Sequence, residues 1–127
     1  MGLRANGSLA LGVASRCCQL IGPSGLDEEL EARRAALDAG TPATMPSARA
    51  AASLFAVQAA SALVAQVGSR SVVLGSHAER LFREAALLLV FGSRPSIKRA
   101  LASTLGMSGS APASDSDPAG SGQAHLR

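Results

Sequence analysis

The chain has 127 residues, 47% of them hydrophobic but only 2% aromatic, and carries twelve basic and nine acidic side chains for a net charge of +3. That is enough for one ordinary domain. It excludes a typical nucleic-acid binder, which clusters its bases on one face and adds aromatic stacking platforms. Here the bases are nearly all Arg, they are scattered, Arg33 and Arg34 are the only adjacent arginines, and Trp and Tyr are absent.

Met1 to Gly106 holds eleven bases and seven acids, a net +4, and the rest holds one base and two acids, a net −1. Residues 107–127 are Ser, Gly, Ala, Pro and Asp with almost no large apolar side chain, so they cannot repay their ordering entropy and are expected to be a disordered tail. Residues 1–106 are the expected folded domain. Its core is rich in Ala, Leu and Val, and small side chains bury little area each, so the domain is expected to need a partner. Cys17 and Cys18 are the only thiols, and helical neighbours point about 100° apart, so a disulfide framework and a metal site are both unsupported. Arg16 interrupts the apolar run after Arg4 too early for an export signal, which leaves the cytoplasm as the default location.

Asn6, Gly7 and Ser8 make a start signal, with Ser8 as N-cap, for a first helix to about Ile21. Its core stripe is read as Leu9, Val13, Cys17 and Leu20, widened by Leu11, Ala14, Cys18 and Ile21. Gly22 and Pro23 stop it. A second helix, Asp27 to about Ala39, places acids before bases as the macrodipole favours, offers the i,i+4 pair Glu29–Arg33, and turns Leu26, Leu30 and Leu37 inward. Pro46 fits the first turn of a long third helix ending near Val67. The stretch 50–67 is uncharged, but Ser53, Gln58, Ser61 and Gln66 favour a buried bundle helix over a membrane span, with Leu54, Val57, Ser61 and Val64 as its stripe. Ser71 to Leu74 reads as a loop. Ser76 and Glu79 form an S-x-x-E capping box for a fourth helix whose second half, apolar from Ala85 to Phe91, is expected to be central. Ser93 and Pro95 open a short fifth helix closing at Gly106. With no sustained alternating pattern, the fold is expected to be all-α, an up-and-down bundle of four to five helices.

The segment Gly68 to Lys98 carries a Gly-Ser turn at Gly68 and Ser69, the run ERLFREA at Glu79 to Ala85, and the loop Phe91, Gly92, Ser93, Arg94. In these features it resembles the closing helical domain of the acyl-CoA dehydrogenase family, and the run LALGVA from Leu9 resembles that domain's first helix. The resemblance implies a flavoprotein oxidoreductase, with FAD as cofactor, acting on CH–CH groups of acyl thioesters. It also implies that Gly68 sits where a C-terminal turn touches a neighbouring subunit's cofactor, with Gln66 one position away from the family's glutamine. The family's catalytic glutamate falls on Gly92, which has no carboxylate to take the α-proton. The other place some relatives use lies near Gly2, and no acid precedes Asp27. The flavin-contacting arginine segment is replaced by the acidic second helix, and the preceding helical and β-barrel domains are missing. No catalytic residue is therefore assigned, and the chain alone is expected neither to retain FAD nor to turn over acyl-CoA. The alternative is a non-catalytic module associating with itself or with a separate flavin-binding subunit.

His77 and Glu79 stand at i,i+2 and so face apart, while Arg80 and Glu84 at i,i+4 can pair. Ser93, Arg94 and Ser96 at a helix start could attract an anion, though any such end can. No Ser-His-Asp order, metal-ligand spacing or phosphate-binding glycine loop is present.

Overall fold

A computed structural model describes residues 2–91 and 94–107, and these form an all-α bundle. Its five helices are α1 (Leu3–Ile21), α2 (Leu26–Asp38), α3 (Met45–Val67), α4 (His77–Val90) and α5 (Pro95–Thr104), with a 3-10 turn over Gly68–Val72. Hydrogen bonds between helix ends fix their directions. Arg4 at the start of α1 donates to the carbonyls of Asp38 and Gly40 at the end of α2, both at 3.0 Å. Gln66 at the end of α3 donates to the Ile21 carbonyl at the end of α1. Arg49 near the start of α3 reaches the last turn of α4. Helices α1 to α4 therefore run alternately up and down, and α3 packs against all four of the others.

Beyond the start of α1, several local signals lie where the residue chemistry puts them. Pro46 occupies the first turn of α3 and Pro95 that of α5. Glu29 pairs with Arg33 at 3.2 Å. At the end of α5, Gly106 (φ 81°) lets its own amide reach Ser103 O and the Met107 amide reach Ala102 O at 2.7 Å. This is a Schellman closure. It extends the helix cap one residue into the segment assigned to the tail, the rest of which, residues 108–127, lies outside the described residues.

Two expected faces are rotated from their predicted positions. In α1 the buried residues are Asn6, Gly7, Ala10, Leu11, Ala14, Cys17 and Cys18, while Leu9 and Leu20 face outward. In α3 they include Ala52, Phe55, Ala56, Ala59, Ala60 and Leu63, while Ser61 is exposed and Leu54, Val57 and Val64 only flank the core. Both helices thus bury their small residues along the line of closest approach, where interaxial distance is set by side-chain size. The predicted start of α1 at Ser8 also shifts. The helix begins at Leu3, with Gly7 inside it at a place where a Cβ would stand 2.7 Å from Leu37 Cδ1 of α2.

The second half of α4 is not central. Ala85 is fully buried and Leu88 packs on the core, but Leu87, Val90 and Phe91 are exposed. Four other helices cannot surround α4, because α3 already holds the middle of the bundle. By length and composition, Met45–Val72 could cross a membrane, and within the bundle ten residues of α3 are buried, among them the charged Arg49.

Candidate functional site

The residues singled out for chemistry sit on the 3-10 turn and on α4. Ser76 Oγ accepts a hydrogen bond from the Glu79 amide at 3.1 Å, the N-terminal half of the capping box, and this fixes which side chains of the first turn face out. Exposed His77 lies with Nδ1 3.5 Å from Arg80 Nη2. Glu79 pairs instead with Arg83 at 3.5 Å, and Arg80 with Glu84 at 3.7 Å. The helix therefore keeps His77 and Glu79 apart and spends its charges on i,i+4 pairs along its own surface.

Gly68 ends α3 with φ 81°, a conformation L side chains rarely adopt. Its amide donates to Val64 O, and its carbonyl accepts from Ser71 Oγ at 2.6 Å. Gly68 thus serves as the helix-ending glycine of α3, with its backbone N–H and C=O both hydrogen-bonded within the chain. Gly92 and Ser93 lie outside the described residues. Arg94 is exposed at the start of α5 and Ser96, two residues on, is half-buried. Among the described residues no three His, Cys, Asp or Glu side chains are grouped to hold a metal ion.

A different feature stands out on the same helix. Val64, Ser71, Val72, Glu79, Phe82 and Arg83 line a largely apolar groove of about 440 Å³ between α3, the 3-10 turn and the first half of α4. Glu79 Oε2 lies enclosed there without a partner. Beyond the groove the outer face of α4 continues as Ala86, Leu87 and Val90, all exposed, with Val90 at 63%. Val72 and Leu74 on the turn are 78% and 80% exposed.

Sequence reasoning missed Arg49. It is fully buried in α3, with Nη1 donating to Ser53 Oγ and Nη2 to the carbonyls of Leu88 (2.8 Å) and Phe91 (2.7 Å). Burial pushes its pKa below the ordinary arginine value. No carboxylate pairs with it among the described residues; the negative end of α4 takes that place. The only available signal was a lone arginine at the edge of an uncharged stretch, and nothing local says that it turns inward.

Cys17 is fully buried, and loss of water around the thiol, reinforced by Cys18 and Glu84, pushes its pKa from 9.0 up to about 11. Burial raises Cys18 as well. The Cys17 thiol therefore favours folding fully below pH 9, and that contribution is lost as pH rises from about 9 towards 11, because the unfolded chain ionises first. Against Cys17→Ala, the parent should lose roughly 2–3 kcal/mol of relative stability over that window. Urea denaturation of both proteins across the range checks this, and parallel stability curves would contradict it.

No family model, curated protein or solved structure matches this chain.

Proposed function

We propose that this chain is a cytoplasmic, non-catalytic helical association module that pairs with a second copy of itself through the outer face of α4. The observation that supports this is the unpartnered apolar surface formed by Val72, Leu74, Phe82, Leu87, Val90 and Phe91. Residues 108–127 contain a single large apolar side chain, Leu126, too little to cover that surface from within the chain. In this proposal α3 is a bundle helix in water. The protein should be recovered without detergent and behave as a dimer in light scattering. A monodisperse monomer with full helicity would overturn the proposal.

A second reading keeps the resemblance. The chain would be the closing bundle of a flavin-dependent acyl-CoA dehydrogenase-like oxidoreductase, docked on a separate FAD-binding subunit. It is favoured by the capped helix carrying ERLFREA and by the glycine-ended helix before it, which lie in the order the family requires. Both readings leave the isolated chain colourless and inactive on acyl-CoA, so they separate on association. A dimer in light scattering supports the first, whereas a monomer that co-purifies with a separate FAD-containing subunit supports the second.

A further inference from the structure

We infer that two copies pair through antiparallel α4 helices about a twofold axis beside Ala86, each seating its Val90 in the other's Val64–Val72–Phe82 groove. This deepens, and rests on, the self-association reading. At about 100° per residue, Glu79, Phe82, Arg83, Ala86 and Val90 fall within an arc of roughly 100° on one side of α4. That strip is self-complementary. It has a concave apolar site at its N-terminal end, where Val64, Val72 and Phe82 line the groove, and a protruding apolar side chain, Val90, at its C-terminal end. Phe82 and Val90 lie four residues either side of Ala86, so a twofold axis there places each copy's Val90 opposite the other's Phe82. A methyl group at the crossing point lets the two backbones come close.

Charge does not oppose the contact. Arg83 and Glu79 pair within each copy, and Arg49 offsets the negative end of α4, so the strip meets its copy without setting unpaired like charges together. A parallel arrangement would put groove against groove and knob against knob. The twofold contact uses the same patch on both copies and closes on itself, so the product is a dimer and not a filament.

The test uses the full chain. Cys17 and Cys18 are buried, so the parent serves as the low-background control for mild oxidation. Ala86→Cys should form a disulfide-linked dimer, since a bridge requires Cα atoms within about 7 Å. Phe82→Cys and Val90→Cys should cross-link efficiently when mixed and weakly when oxidised separately. Val90→Arg, at an exposed position, should keep its helicity and weaken dimerisation by about tenfold or more. A parent that scatters as a dimer while Ala86→Cys stays uncrosslinked would overturn the antiparallel seam alone. A monomeric parent would overturn both the seam and the association reading beneath it.

Discussion

Arg49→Ala should lower the unfolding free energy by about 3–5 kcal/mol, among the largest effects of any single substitution in this chain. The guanidinium is fully buried and fills three acceptor positions at once: the Ser53 hydroxyl in its own helix and the Leu88 and Phe91 carbonyls at the end of α4. Truncation leaves the buried Ser53 hydroxyl and the part-buried Leu88 and Phe91 carbonyls without this donor, and each loss out of reach of water costs about 1–3 kcal/mol before the cavity is counted. Arg49→Lys should fall between parent and alanine variant, because an ammonium is a point charge and cannot reproduce the planar fork that spans two carbonyls and a hydroxyl. Urea midpoints for the three proteins give the order. A loss below about 1 kcal/mol for Arg49→Ala would mean that the cost of burying this charge cancels what its hydrogen bonds contribute.

Phe55→Ala should cost about 3–5 kcal/mol as well, by a different route. Phe55 is one of three phenylalanines in a chain without Trp or Tyr, and it is 2% exposed in the middle of the central helix. The same helix buries Ala52, Ala56, Ala59 and Ala60, none of which has a side chain long enough to fill the space a lost ring would leave. Where surroundings cannot collapse, the cavity term adds fully to the lost transfer energy. Phe55→Leu retains most of the volume and should cost less than about 1.5 kcal/mol. Thermal melts followed by circular dichroism distinguish the two. Equal losses for Ala and Leu would show that ring shape, and not volume, decides packing at this position.

The candidate site was legible only in part. The capped start of α4 and the Arg80–Glu84 pair follow from residues within one turn of each other, and both are present at the expected positions. The groove was not legible, because Val64, Val72 and Phe82 converge from three separate elements. Arg49 was not legible either, since its partners lie 39 and 42 residues away on another helix.

The sequence by itself determined the all-α class, the proline starts of α3 and α5, the glycine end of α3 and the cap of α4, because each rests on short-range chemistry: a missing amide, a permitted positive φ, a side-chain cap. Only the tertiary structure decided which faces turn inward. In α3 apolar residues occupy nearly every side, so periodicity selects no face; in α1 Arg4, Ser8, Ser15, Arg16 and Gln19 mark a polar arc but leave a broad apolar face, and in both helices small residues take the contact because they let helix axes approach. The same cause exposes the outer half of α4: with α3 in the middle, the apolar run from Ala85 to Phe91 has core on one side and open surface on the other.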